Sequence, residues 1–311
     1  MYVIAAWMFA LYGAFAQSGL AAESASALRA EGRYAEARDA AERALVATPN
    51  DLAMQNEEAL ASERIALDAI AQHRADDALA DLLRAKKFAP EHAKLLFDLG
   101  VLEDEMKLYR DADETLAEAE RLQPGEPQVI YAVARVKLDL GQLGVAEEKM
   151  KAYLAMRPED ASAHYGLGRI YRQGLELDKA RAEFERCVAL QPKQTEGYYQ
   201  LGDTELQAGA YAEALTNFSK TLERQPQHGG ALVGSGIAYF KEKQYEQAQG
   251  FLQRAIVAAP EYQPGHYYLG LTLARMGRDA ESKKELDIAT RLAEQDHKQG
   301  VNGLRLNEQA P

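Results

Sequence analysis

The chain has 311 residues, 47% of them apolar, and its 36 Lys and Arg against 48 Asp and Glu give a formal net charge of −12. This composition is typical of a folded globular protein and excludes a disordered or collagen-like chain. The single cysteine excludes a disulfide framework. The acidic balance argues against a nucleic-acid partner, because such binding rests on neutralising phosphates.

The first predicted element is an apolar segment at residues 1–16. No charged side chain occurs from Met1 to Ala22, and the apolar stretch ends in the small-x-small sequence Ala14-Phe15-Ala16. This pattern predicts a signal peptide cleaved after Ala16, and therefore an exported protein that is periplasmic or secreted. The alternative is an uncleaved membrane anchor through residues 2–22, because about 20 apolar residues cross a bilayer.

A 34-residue period organises the rest of the chain. Prolines recur at this spacing: Pro90, Pro124, Pro158, Pro192, Pro226 and Pro260. A Leu-Gly pair such as Leu167-Gly168 and a small residue such as Ala180, with Phe184 four residues later, recur in the same phase. Since proline ends helices and small residues let helices approach closely, each period predicts one pair of packed helices.

Eight repeat units follow from this phase, together forming an array from residue 18 to 296. Their predicted bounds are 18–51, 59–92, 93–126, 127–160, 161–194, 195–228, 229–262 and 263–296. The spacing from Pro49 to Pro90 exceeds the 34-residue period by seven residues. This excess predicts that the first helix of unit two, around Leu52 to Ala71, is lengthened by about two turns. The polar tail at 297–311 is predicted to be disordered.

The phased Leu-Gly, Ala, large apolar and Pro positions resemble the tetratricopeptide repeat (TPR) family. The resemblance implies an all-α, superhelical solenoid of about eight helix-turn-helix repeats. It also implies a concave face, lined mainly by the first helix of each unit, that binds protein or peptide segments.

Candidate binding residues are those that the resemblance places on this concave face. They are Phe97, Tyr131, Arg135, Tyr165, Arg169, Arg172, Tyr199 and Tyr267. Tyrosine suits peptide binding, and arginine forms bidentate contacts with carboxylates. With Asp98, Asp104 and Glu105 on the preceding unit, the arginines predict a face with an acidic and a basic part. The alternatives are that the aromatic rings pack against their neighbours and that the arginines form surface ion pairs between helices.

No catalytic constellation is found in the sequence. The six histidines lack the spacing of helical metal ligands. His164 and His266 occupy a bulky repeat position and are interpreted as packing residues, and Cys187 occupies a small buried position and is interpreted as inert. We therefore expect no enzymatic activity, no metal and no cofactor.

The functional hypothesis is an exported, non-enzymatic scaffold or adaptor that binds a protein or peptide partner. A membrane contact is expected only if the leader stays uncleaved. One alternative is an envelope assembly scaffold that forms homo-oligomers, because no polar capping element follows Leu292. The other is an accessory subunit of a glycosyltransferase or polysaccharide machine.

Overall fold

The computed structural model describes the backbone of residues 24–308 and the side chains of residues 24–295. Every regular element in this part of the chain is an α-helix. The predicted leader, residues 1–16, lies outside the described residues. None of the helices described is long and apolar enough to span a bilayer.

The helices form consecutive antiparallel pairs. Helix α1 covers residues 24–30. It is followed by α2 (Tyr34–Ala47), α3 (Leu52–Ala71), α4 (Ala75–Phe88), α5 (Ala93–Glu105), α6 (Tyr109–Leu122), α7 (Pro127–Asp139) and α8 (Leu143–Met156). The second half contains α9 (Ala161–Gln173), α10 (Leu177–Leu190), α11 (Thr195–Gln207), α12 (Tyr211–Arg224), α13 (Gly229–Lys241), α14 (Tyr245–Ala258), α15 (Gln263–Arg275) and α16 (Asp279–Glu308).

The chain divides into two compact units. The N-terminal unit is Met1–Met156 and the C-terminal unit is Arg157–Pro311. Within each unit, helices adjacent in sequence pack against each other, and the first helices of neighbouring pairs also touch. The contacts between first helices join α3 to α5, α5 to α7, α11 to α13 and α13 to α15. Each unit is therefore a stack of hairpins whose first helices lie side by side.

Prolines and capping side chains set the helix ends. Helices α4, α6, α8, α10, α12 and α14 each end two residues before one of the phased prolines. Proline lacks the N–H that would continue the helix, and it disfavours helical geometry in the residue before it. Asp51 and Asp160 then cap α3 and α9, each accepting backbone hydrogen bonds from the first turn.

On α5, α9, α11, α13 and α15 a glycine lies directly against a large side chain of the partner helix, whereas α7 has Ala134 at this position. A Cβ atom added at Gly168 would lie 2.7 Å from the Phe184 ring, and one added at Gly202 would lie 2.9 Å from the Phe218 ring. The sequence pairs Gly168 with Ala180 and places Phe184 beside them, whereas in the structure the Phe184 ring covers the glycine. Close helix approach therefore depends on glycine and a fully buried large residue together.

The predicted lengthening of one helix is confirmed. Helix α3 runs from Leu52 to Ala71 and has 20 residues, whereas the other first helices from α5 to α15 have 13. Helix α16 is described through residue 297 to Glu308, and the disorder expected of the polar tail at 297–311 stays a prediction. Residues 309–311 lie outside the described residues.

Candidate functional site

The candidate binding surface is the outward face of the first helices. In the C-terminal unit it consists of four equivalent positions on each of α9, α11, α13 and α15, spaced 3, 4 and 4 residues apart. This spacing puts the four positions of a helix on one side. The positions are Ser162, Tyr165, Arg169 and Gln173; Glu196, Tyr199, Asp203 and Gln207; Gly230, Val233, Ile237 and Lys241; and Pro264, Tyr267, Leu271 and Arg275. We call this surface the first-helix face.

The sequence-predicted residues fall on this face in both units. Phe97, Tyr131, Tyr165, Tyr199 and Tyr267 all occupy its second position. Arg135 and Arg169 occupy its third position, and Arg172 lies at its edge, one residue before the fourth position. Phe97, Tyr131 and Arg135 belong to the N-terminal unit, and the others belong to the C-terminal unit.

Most of the aromatic side chains pack against neighbours. The Tyr131 ring centroid lies 5.0 Å from that of Tyr153, and the Tyr165 centroid lies 5.9 Å from that of Phe184. Tyr199 packs against Phe218 at 6.2 Å and against His228 at 4.6 Å. Phe97 is half-buried against the apolar core of its own unit. These rings therefore contribute to the joints between helices.

Tyr267 is the most open of the predicted aromatic residues, with 41% of its surface exposed. Its ring contacts Tyr268 edge-on, with 5.3 Å between centroids. A rigid aromatic side chain that keeps this exposure has apolar area left for a partner. Tyr165 and Tyr199 are more enclosed, and burial raises the pKa of Tyr199 to about 12. The Tyr199 hydroxyl is therefore protonated at neutral pH.

Two of the predicted arginines are held in ion pairs between hairpins. The Arg135 guanidinium lies 2.9 Å from Asp104, whose side chain is 5% exposed. Arg172 lies 2.5 Å from Asp203, and Asp203 also accepts a hydrogen bond from Gln207 at 3.0 Å. The expected division of the face into an acidic and a basic part is not observed at these two arginines, because each already forms an ion pair with a carboxylate. The ion-pair alternative is the one observed.

The glutamate on α11 is likewise engaged. Glu196 Oε1 accepts hydrogen bonds from Gln200 at 2.7 Å and from Tyr165 at 3.5 Å, and its other oxygen lies 3.9 Å from the His228 ring. The interaction with the nearby His228 ring is the main cause that holds the pKa of Glu196 below its ordinary value, and the hydrogen bond from Gln200 also lowers it. The α9 and α11 part of the face is thus a polar surface with internal partners.

The α13 and α15 part of the first-helix face is apolar. Val233, Ile237, Tyr267 and Leu271 form its centre, and Ile237 and Leu271 are half-buried. Gly230 leaves room for the neighbouring Tyr199 ring, which a Cβ atom would approach to 2.8 Å. Of these residues, only Tyr267 is among the candidates named from the sequence.

Lys241 and Arg275 occupy the fourth position of the first-helix face on α13 and α15. Both side chains are exposed in the last helical turn. Within residues 24–295 neither has an ion pair or a side-chain hydrogen bond. Sequence reasoning missed both, although they lie 34 residues apart and share one repeat position.

The histidines interpreted as packing residues also make polar contacts. His266 Nδ1 lies 2.7 Å from a Glu285 carboxylate oxygen, and Nε2 lies 3.0 Å from the Pro260 carbonyl oxygen. His164 has the same arrangement three repeats earlier, with a Glu183 carboxylate oxygen at 2.7 Å and the Pro158 carbonyl oxygen at 3.1 Å. Each histidine therefore ties the second helix of its hairpin to the preceding proline turn.

Chemistry at other side chains is limited in the described part. Cys187 is buried, and burial raises the pKa of its thiol to about 11, so it is protonated at neutral pH. No group of three or more His, Cys, Asp or Glu among the described residues is placed to hold a metal ion.

Two family models match the chain. The middle TPR-like domain of cilia and flagella-associated protein 70 matches residues 166–293, and the tetratricopeptide repeat model matches residues 131–195. No curated protein sequence matches.

Solved structures resemble the chain in fold. A tetratricopeptide repeat protein from Parabacteroides merdae ATCC 43184 has a TM-score of 0.61 at 16% identity, with 75% of this chain and 93% of that chain covered. The APC/C hetero-tetramer Cut9-Hcn1 gives 0.59 at 14% identity, covering 86% and 52%. MamA from Desulfovibrio magneticus RS-1 gives 0.51 at 20% identity, covering 54% and 96%.

Stacked hairpins with a 34-residue period and an accessible first-helix face define a helical-repeat scaffold of the protein-interaction class. The segments matched by the two family models are tetratricopeptide repeats, and the chain has the fold of a tetratricopeptide repeat protein.

Proposed function

We propose that this protein is an adaptor that binds a segment of a protein partner on the first-helix face of its C-terminal unit. The observation that carries the proposal is the apolar surface formed by the exposed Tyr267 and the half-buried Ile237 and Leu271 on two neighbouring first helices. Apolar area that the fold itself does not cover favours association with a partner.

The neighbouring α9 and α11 part supports this role in a different way. Its tyrosines and charged groups are held by contacts such as Arg172 with Asp203 and Tyr165 with Glu196. Because these side chains are already ordered, they lose little conformational entropy when a partner binds. The proposal is one of binding, not of catalysis.

Site-specific photocrosslinking tests the surface. A photoreactive phenylalanine analogue replaces Leu271 on the first-helix face, and the matched control carries it at Val257, which is 83% exposed on second helix α14. We expect a crosslinked partner segment from position 271 and none from position 257. Crosslinks of equal yield from both positions, or from 257 alone, would overturn the assignment of the face.

Two substitutions keep the crosslinking result interpretable. Ile237→Asp places a charge in the apolar part of the face and is expected to reduce the crosslink yield at position 271 at least about tenfold, since about 1.4 kcal/mol of lost binding suffices. Circular dichroism establishes that the variant stays folded. Tyr165→Ala with Arg169→Ala probes the polar part and is expected to weaken capture less.

We further propose that the protein is exported. The support is the uncharged segment Met1 to Ala22 with its Ala14-Phe15-Ala16 sequence. Intact mass after expression in a host with a secretory pathway tests this proposal. A soluble exported form beginning at Gln17 and lacking Trp7 is the expected result. A full-length protein in the membrane fraction would instead favour the anchor.

A further inference from the structure

The α13 and α15 part of the first-helix face combines an apolar centre with one charged edge. We call it the α13–α15 platform; its positions are Gly230, Val233, Ile237 and Lys241 on α13 and Pro264, Tyr267, Leu271 and Arg275 on α15. The two helices contact each other directly, so equivalent positions are neighbours. Both basic residues therefore stand at the same end of the platform, next to Ile237 and Leu271.

The two cations of the platform have no balancing carboxylate. No acidic side chain occupies any of its eight positions, and neither Lys241 nor Arg275 has an ion-pair partner in the described part of the chain. Charged groups elsewhere on the face behave differently, since Asp203 is bound by Arg172 and Gln207. The platform thus has positive charge that is available to a ligand.

Equivalent positions in the N-terminal unit show that this charge belongs to the platform alone. The fourth position is Ala71 on α3, Glu105 on α5 and Asp139 on α7. In the C-terminal unit it is Gln173 on α9, Gln207 on α11 and then the two cations. A ligand that needs positive charge beside apolar surface therefore finds both at the α13–α15 platform.

We propose that the α13–α15 platform binds an extended peptide segment that carries apolar side chains beside acidic ones, a ligand class that rests on the proposed peptide-binding function. The apolar side chains contact Ile237, Tyr267 and Leu271, and carboxylates pair with Lys241 and Arg275. Packed helix axes lie about 8–10 Å apart, and an extended chain spans about 3.3–3.6 Å per residue. Two acidic residues about three positions apart fit the two cations.

A selection among peptides tests the charge preference. Three pools of random 12-residue peptides have the same content of Leu, Ile, Phe and Tyr, and their polar positions carry Glu and Asp, Gln and Asn, or Lys and Arg. The immobilised full-length chain selects from an equal mixture of the pools, and mass spectrometry counts the retained peptides. We expect acidic peptides to be enriched about tenfold over basic ones, because two exposed ion pairs of up to ~1 kcal/mol each contribute.

Charge reversal supplies the matched comparison. Lys241→Glu with Arg275→Glu changes only exposed side chains, and we expect it to remove the acidic preference and to favour the basic pool. The control Lys283→Glu with Lys284→Glu makes the same charge change at exposed positions on α16 and should leave the preference intact. The acidic enrichment should also decline between about 0.05 and 0.5 M NaCl through screening.

The outcomes separate this inference from the proposed function. Equal retention of the three pools, lost in Ile237→Asp, would overturn the acidic ligand class and leave peptide binding at the face in place. An acidic preference that the Lys283 and Lys284 control also loses would show a general charge effect and would equally overturn the assignment. Retention of no peptide from any pool would count against the proposed function itself.

Discussion

At the scale of single residues, the turn inside each hairpin has a recurring left-handed position. Eight residues at this position have positive φ: Gly32, His73, Lys107, Gly141, Leu175, Gly209, Lys243 and Gly277. From His73 onward they follow at 34-residue intervals. Glycine adopts this geometry without strain, whereas a residue with a Cβ atom is disfavoured there. Leu175 has φ +60° and is 77% exposed, so its side chain gives little packing in return.

Leu175→Gly is therefore expected to stabilise the protein by about 0.5–1 kcal/mol, after allowing for the greater freedom of glycine in the unfolded chain. Urea unfolding followed by circular dichroism measures the change. The reverse substitution is Gly209→Leu. Because Gly209 has φ +80°, a leucine there should destabilise the protein by a similar amount. If Leu175→Gly lowers the midpoint, the argument from backbone strain is wrong.

The sequence predicts residue environments unevenly. Gly168, Phe184 and the phased prolines determine the hairpins, because their effect on close packing and helix ends is local and repeats every 34 residues. The partners of Arg135 and Arg172 are not predictable in this way. Arg135 binds Asp104, 31 residues earlier, and Arg172 binds Asp203, 31 residues later. Whether an arginine pairs with the preceding or the following hairpin depends on which of them has a carboxylate within reach. Only the three-dimensional packing shows this.

At the scale of helices, the lengthened α3 carries an unusual buried carboxyl group. Glu58 is fully buried, one of its oxygens accepts a hydrogen bond from Ser62 at 3.0 Å, and the other has no partner. Glu42 and Arg38 from α2 and Arg84 from α4 are the charged groups that act on it. Burial is the main cause that raises the pKa of Glu58 to about 7, and Glu42 adds to the rise.

Glu58 is expected to make stability depend on pH. An unfolded glutamate has a pKa of about 4.3, so the folded state holds the extra proton between about pH 4.3 and 7. Stability from this group is therefore present at low pH and decreases as pH rises through that window. Glu58→Gln should remove this part of the dependence and raise stability at pH 8 by up to about 4 kcal/mol. Urea unfolding at pH 5 and pH 8 provides the measurement.

The exposed Glu91→Gln is the control for this substitution. Burial also raises the pKa of Glu103 and Glu205, which contributes to the pH dependence of both variants alike. The difference between Glu58→Gln and Glu91→Gln therefore isolates the group on α3. Identical pH profiles for the two variants would contradict the assignment.

The His266 contact joins α15, α16 and the turn at Pro260. Both ring nitrogens face acceptor oxygens, of Glu285 and Pro260, and both can donate only if the ring is doubly protonated. His266→Leu should cost about 1–3 kcal/mol, because the 15% exposed Glu285 side chain loses its partner. In a double-mutant cycle, His266→Leu with Glu285→Leu should recover part of that loss. Additive losses would show that the two side chains are not coupled.

At the scale of the whole molecule, the array predicted from sequence is recovered because local signals agree with one another in every repeat. The binding surface is less predictable. Exposure at Tyr267 but not at Tyr199 depends on what the neighbouring first helix offers, and Gly230 gives the Tyr199 ring a place to pack. The chain therefore encodes its hairpins through repetition and its ligand surface through departures from repetition.

Phe218 tests how far a local change travels through such an array. Its ring is fully buried, and Cβ atoms added at Gly202 in its own hairpin or Gly234 in the next would lie 2.9 and 2.4 Å from it. Phe218→Ala should therefore cost about 3–5 kcal/mol. Because each repeat in such stacks contacts only its neighbours, hydrogen exchange should accelerate in α11–α14 and stay unchanged in α3–α6. Val257→Ala at an exposed site should stay within about 0.5 kcal/mol. Equal loss of protection in α3–α6 would mean that the array unfolds as a single cooperative block.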